Sequence, residues 1–201
     1  PELPEVETVR AGLAASITGA TAKAVTVLDE RSLKRHDGPT EDFIERVVGS
    51  RVEAVVRRGK FLWMPLAAKS PGEQLALVGH LGMSGQMLLR QPSAEPDKLT
   101  RVTIDFDTAA GAEVQFRFVD QRLFGSLAID HMVATKDAGP GGFSNSVGEG
   151  VSWQNQIASQ AAHIARDPLD PHFDSDAVVA KIRSRHSGIK GILLDQAILS
   201  G

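Results

Sequence analysis

The 201-residue chain contains no cysteine. Disulfides, thiolate metal sites and cysteine nucleophiles are therefore excluded within it. No apolar run is long enough to span a membrane, and no basic start leads into the apolar core of a signal peptide. These absences predict a soluble, cytoplasmic protein. There is no basic surplus either: 22 Lys and Arg stand against 25 Asp and Glu, a formal net charge of −3. Any binding to nucleic acid must then come from local basic surfaces. A phosphate-binding loop needs Gly-Lys-Ser/Thr at the start of a helix, and none occurs. No internal repeat is visible.

What is present begins at Pro1-Glu2-Leu3-Pro4-Glu5-Val6-Glu7. Leu3, Val6, Val9 and Leu13 recur at helical spacing, with Glu2, Glu5 and Glu7 in the first turns, where the helix dipole favours carboxylates. This predicts an N-terminal helix closed near Gly19. Positions 20–28 read as a strand, and Thr40 reads as the cap of a short helix through Val48. Short strands follow at 52–58, 60–66, 74–80, 86–90, 101–107, 113–119 and 126–129. The alternation Val102, Ile104, Phe106 and then Val114, Phe116, Phe118, with a turn around Gly111, is half-buried antiparallel patterning. About eight short strands suit a β-sandwich or a barrel, and a sandwich is favoured.

Residues 136–152 are rich in Gly, Ser and Asn and read as a linker. Beyond it the periodicity turns helical. Asp174 and Ser175 can cap a helix over 176–186 with Val178, Val179 and Ile182 as its core face. Ser187 can cap a second helix over 188–199, with the stripe Ile189, Ile192, Leu193 and Ala197. The expected fold class is α+β, with three parts. A helix-plus-sandwich domain spans 1–135, a linker 136–152, and an incomplete helical domain 153–201.

Four local patterns carry possible chemistry. A free proline at position 1 is a secondary amine that, when unprotonated, can attack an aldehydic carbon. The resulting iminium is cationic and a strong electron sink. Taken alone, Pro1 reads more simply as a processing end with an ordinary helix-initiating proline. Arg57-Arg58-Gly59-Lys60 is a basic turn, alone best read as solvated charges. His80-Leu81-Gly82-Met83-Ser84-Gly85 holds an unbranched apolar side chain between glycines, and Met83 alone would be a core gap-filler. Asp120-Gln121-Arg122-Leu123-Phe124-Gly125 sets a cation and an aromatic two residues apart. His80 and Phe124 alone read as structural residues.

The conjunction describes a base-flipping enzyme. Extruding a nucleotide leaves a hole in the duplex that something must fill. Met83 and Phe124 suit wedges between base steps, and Arg122 suits the orphaned base. Lys60 and His80 would hold phosphates, which position DNA without reading sequence. Pro1 would attack the sugar C1′, with Glu2 handling protons at the sugar.

These residues resemble the formamidopyrimidine-DNA glycosylase family, bacterial base-excision enzymes acting on oxidised purines such as 8-oxoguanine and on abasic strands. PELPEVETVR, RRGKFLW, HLGMSGQM and DQRLFG carry the resemblance, which covers essentially the whole chain. RSRHSGIKGILLDQAILSG resembles the start of that family's helix–two-turns–helix region. The resemblance implies Pro1 as Schiff-base nucleophile and Glu2 as catalytic acid. Lys60 and His80 would contact phosphate, Lys60 also serving the chemistry. Met83, Arg122 and Phe124 would fill the void, and Lys190 would lie near the lesion strand. Glu5 matches a further acidic position.

The family pattern continues after Gly201 with a phosphate-binding asparagine turn, further helices and a four-cysteine zinc finger, so no cofactor is expected within these residues. Leu123 departs from a position that is often polar or basic. The expectation is a monomer acting on double-stranded DNA with oxidised purines or abasic sites, with weak or absent activity on duplex DNA for the chain as it stands. The alternatives are a non-catalytic DNA-binding fragment or paralogue, the sister branch acting on oxidised pyrimidines, and a tautomerase with a proline base.

Overall fold

The computed structural model describes residues 1–145 and 150–201. Helix α1 (Leu3–Ile17) is followed by β1 (Thr21–Val27) and α2 (Thr40–Val47). Then come β2 (Val56–Arg58), β3 (Phe61–Pro65), β4 (Leu75–His80), β5 (Gly85–Arg90), β6 (Thr100–Asp107), β7 (Glu113–Asp120) and β8 (Ser126–Ala134). Strand β9 (Gln156–Ala158) and helices α3 (Ser175–Arg183) and α4 (Ile189–Leu193) complete the strands and α-helices among the described residues, with short 3₁₀ turns at Glu30–Leu33 and Ser159–Ala161. The strands form two antiparallel sheets, β1-β6-β7-β5 and β2-β3-β4-β8-β9. The fold is the expected α+β sandwich behind an N-terminal helix.

The core between the sheets follows from strand periodicity. Val102, Ile104 and Phe106 on β6 and Phe116 and Phe118 on β7 are at most 1 % exposed. They meet Leu62, Met64, Leu77 and Leu127 of the other sheet and Val6, Leu13 and Ile17 of α1. Strand β3 (FLWMP) is apolar throughout because both its faces are covered. Its outer face carries Phe61 and Trp63, which pack with Val78, Met132, Trp153, Ile157, Ala161 and Ile164.

Several elements differ from the sequence reading. Residues 52–55 form no ladder; Arg51 and Val52 make isolated bridges to Thr21 and Leu66, turning the chain from one sheet to the other. Strand β8 runs to Ala134, and its last three residues pair with β9, whose three residues are too few to show an alternating pattern. Thr40 is not a cap: Pro39 occupies that position, and the Thr40 hydroxyl donates to Glu30 at 3.0 Å. Helix α4 stops at Leu193 because Asp195 accepts the Ala197 N–H at 2.9 Å, a local turn that competes with the helix. Its N-cap is Gly188, with no side-chain bond from Ser187. Asp174 does cap α3, accepting the Ala177 N–H, yet none of Val178, Val179 and Ile182 is buried.

The 136–152 reading includes residues 146–149, which lie outside the described residues. Gly141 and Gly142 pack so closely on Gln156 and Arg57 that a Cβ would stand 1.9 and 2.3 Å from their carbonyl oxygens. Phe143 bridges to Arg57 on the edge of β2. No helix among the described residues is long and apolar enough to cross a membrane.

Candidate DNA-engaging site

The register of the second sheet brings three of the four sequence patterns to one edge. Phe61, directly after Lys60, pairs with His80, and His80 pairs with Ser126. The β2–β3 turn, the loop after β4 and the loop before β8 therefore leave the sheet at the same end. Gly85 pairs with Asp120 in the other sheet, so the two loops also join the sheets there.

At this edge the Lys60 ammonium lies 2.6 Å from the Glu2 carboxylate, which is 75 % exposed. The hydrogen bond and charge of Lys60 hold Glu2 below the ordinary carboxylate range, and the N-terminal amine adds to the effect. Glu2 is ionised at neutral pH. Its backbone N–H donates to the Glu5 carboxylate at 2.5 Å, which fixes the start of α1 and gives Glu5 a positioning role.

The turn that aims Lys60 is held by buried charge, contrary to the solvated reading of Arg57 and Arg58. Arg57 is fully buried, donating to Glu7 at 2.7 Å and to Asp167 at 2.7 Å. Asp167 also accepts the Gly59 N–H at 2.9 Å. Gly59 has φ +55°, and a Cβ there would stand 2.9 Å from Ser200, so both backbone and space demand glycine. Arg58 donates to the carbonyls of Gly141 and Ile164, and burial lowers its pKa to about 10. Only Lys60 of this basic run reaches solvent appreciably. Glu7 and Arg10, three apart on one face of α1, were a legible pair. Asp167 had no sequence signal, because it acts from 110 residues beyond its partner.

His80 packs against Phe61 with ring centroids 4.7 Å apart and the ring planes tilted by 57°, and its Nδ1 accepts the Gly82 N–H at 3.1 Å. That bond leaves the proton on Nε2. Burial, then the charges of Arg35, Lys60 and the N-terminus, lower its pKa to about 4. At neutral pH His80 is a neutral hydrogen-bond donor. As pH falls from 6.5, the unfolded chain takes up this proton before the folded one does. The stability it contributes is complete above pH 6.5 and is lost down to about pH 4. Urea unfolding is expected to show a midpoint drop between pH 7 and pH 4.5 that shrinks in His80→Gln; an unchanged drop would contradict the assignment.

The 81–85 and 121–125 loops pack backbone against backbone. A Cβ on Gly82 would lie 2.6 Å from the Gly125 nitrogen, and one on Gly125 would lie 2.6 Å from the His80 carbonyl oxygen. Asp120, fully buried, ties them together. Its carboxylate accepts from the Ser84 hydroxyl at 2.7 Å, the Arg122 N–H at 3.2 Å and the Gly125 N–H at 2.8 Å. The sequence placed Asp120 in a motif without a task, and its task is this clasp. Asp120→Ala strands the buried Gly125 amide and frees the Ser84 hydroxyl, which the Arg122 N–H also meets at 3.1 Å, an expected loss of about 1–3 kcal/mol in urea unfolding. A change below about 0.5 kcal/mol would deny the clasp.

The clasp presents Met83, Arg122 and Phe124 to solvent together. Met83 is 63 % and Phe124 51 % exposed. Arg122 sits between them, its guanidinium 5.4 Å from the Phe124 ring centroid and its Nη1 3.4 Å from the Met83 sulfur. Leu123 is half-buried with φ +56°, and its carbonyl accepts from Lys34 at 2.6 Å. Lys190 stands exposed on α4 and is joined to neither group by a hydrogen bond or ion pair among the described residues. A four-cysteine zinc site does not fit these residues, which include no cysteine. Among the described residues no cluster of three His, Asp or Glu could hold a metal.

The chain has likenesses in sequence and in fold. The family profile described as the formamidopyrimidine-DNA glycosylase N-terminal domain matches residues 1–127. The chain is 48 % identical to the formamidopyrimidine-DNA glycosylase of Leifsonia xyli subsp. xyli over 201 residues, 100 % of this chain and 64 % of the relative. It is 45 % identical to the one from Kineococcus radiotolerans, covering 100 % and 64 %. The chain thus spans just under two thirds of the length of these curated relatives. In structure it resembles the Lactococcus lactis Fpg in complex with DNA containing an abasic site, with a TM-score of 0.70 at 24 % identity, covering 100 % of this chain and 63 % of that one. With the profile spanning more than half of its length, the chain belongs to the formamidopyrimidine-DNA glycosylase family.

Proposed function

We propose that this chain carries the catalytic part of a base-excision repair glycosylase. Its substrate would be duplex DNA containing 8-oxoguanine or a formamidopyrimidine, and it would also cut abasic strands by β,δ-elimination. One observation carries the reading: the Lys60–Glu2 pair, 2.6 Å apart, stands beside Pro1 on the sheet edge that also presents the two clasped loops.

The charge state of Glu2 shapes the mechanism. Lys60 keeps Glu2 ionised, so Glu2 must acquire a proton before it can act as an acid. The adjacent Pro1 ammonium is the natural source. One transfer gives a free secondary amine and a protonated carboxyl. The Pro1 nitrogen then bonds to C1′ as the glycosidic bond breaks; the leaving base takes the bonding electron pair and, through solvent, the second proton of the former Pro1 ammonium. Glu2 returns its proton to the ring oxygen as the sugar opens, and C1′ becomes a cationic iminium. The iminium withdraws electrons from C2′–H. Loss of that proton expels the 3′ phosphate, and a second elimination expels the 5′ phosphate.

Lys60 and the neutral His80 Nε2–H would hold lesion-strand phosphates, with Lys190 a further cation toward the same strand. Met83 and Phe124 would fill the vacated stack, and Arg122 would meet the estranged base. A monomer in the cytoplasm is part of the same proposal. The test is incision of paired oligonucleotide duplexes. Cleavage of an abasic duplex and preference for 8-oxoguanine over an oxidised pyrimidine are expected, with excision of the intact lesion weak in this chain. Preference for the oxidised pyrimidine would move the assignment to the sister branch, and failure to trap any borohydride-reduced adduct with an abasic strand would contradict it.

A further inference from the structure

The chain has four methionines, and three are sealed in the core: Met64 is 2 %, Met87 6 % and Met132 8 % exposed. Met83 is 63 % exposed, held out by the glycine-bounded loop, with the Arg122 guanidinium 3.4 Å from its sulfur. We propose that Met83 is a reversible oxidation site that switches the two clasped loops between a DNA-engaging and a self-locked form. This rests on the assignment of Met83, Arg122 and Phe124 to the duplex.

The oxidant is a peroxide, hydrogen peroxide being the simplest. Its O–O bond breaks, one oxygen atom bonds to the Met83 sulfur, and the other leaves as water. The sulfur loses two electrons and the peroxide gains them. Two consequences follow from the geometry. A thioether is a weak acceptor, whereas a sulfoxide oxygen is a strong one. Arg122 already points at this sulfur, so the new oxygen receives a charge-assisted N–H bond and keeps the guanidinium from a base. The wedge itself becomes polar, and inserting it between bases strips water from an S–O dipole. Oxidation therefore weakens both the void-filling group and the base reader in one step. Methionine sulfoxide reductases reverse it. The buried methionines are out of reach, so the response is confined to the loop.

The experiment treats the protein with limiting hydrogen peroxide, then compares peptide masses and affinity for an abasic duplex. The Met83 peptide is expected to gain oxygen before those of Met64, Met87 and Met132. Affinity is expected to fall ~10-fold, the cost of leaving one polar group poorly paired. Reductase treatment should restore it. Met83→Leu, whatever its own starting affinity, should show a treated-to-untreated ratio near one. Even oxidation of all four methionines, unchanged affinity of Met83-oxidised protein, or an equal fall in Met83→Leu would each overturn the switch. Unoxidised protein that fails to hold the duplex overturns the DNA assignment and the switch with it, while the peptides still report whether Met83 is the reactive sulfur.

Discussion

A chain carrying one N-acetylated glycine ahead of Pro1 is expected to lose borohydride-trapped adduct with abasic DNA to the detection limit. The extension turns the proline nitrogen into an amide, whose lone pair is delocalised into the carbonyl and is no longer nucleophilic. The fold should be indifferent to it. Pro1 precedes α1, the helix is fixed by the Glu2–Glu5 bond, and its buried contacts begin at Val6. Comparing urea unfolding of the extended and native chains separates the two effects. Equal stability with lost adduct supports the amine as nucleophile. Full adduct formation by the extended chain would remove Pro1 from the mechanism.

Glu2→Gln is expected to lower strand cleavage at a lesion by on the order of 10²–10⁴-fold, the range typical of a proton-transfer group. The amide retains the shape of the side chain but can neither take the Pro1 proton nor return it to the sugar. Lys60 loses its 2.6 Å charge partner and stays close to the phosphates it is proposed to hold. Binding of lesion DNA, read by fluorescence anisotropy, should therefore persist or tighten. Parallel loss of binding and cleavage would mean that Glu2 shapes the edge of the site and does not serve the reaction.

Much of this site was legible because its parts are short and local. Lys60, His80, Met83, Arg122 and Phe124 each sit in a turn or a glycine-bounded loop, and strand ends fix where such loops point. The alternation of β6 and β7 gave the sandwich, since a one-residue slip would have turned Phe116 and Phe118 outward. What escaped was non-local. Arg57 looked like a surface charge because its partners, Glu7 and Asp167, lie 50 and 110 residues away. A basic turn and a buried ion cluster have the same local sequence. Strand β9 was missed for a related reason: Gln156–Ala158 becomes a strand only where β8 offers an unpaired edge. The helical stripe over 188–199 misled in the opposite direction, since periodicity extends through Asp195 while the Asp195 side chain diverts the backbone. The charge state of Glu2 was also beyond a sequence reading, because it depends on a lysine 58 positions away.

The proposed chemistry belongs to a proline amine, and mass spectrometry of the trapped adduct tests it most directly. Native chain is incubated with abasic duplex, reduced with borohydride, digested, and the DNA-bearing peptide is sequenced. A covalent sugar remnant on the nitrogen of Pro1 is the predicted result. A remnant on Lys60 or any other amine, or no adduct at all, would contradict it.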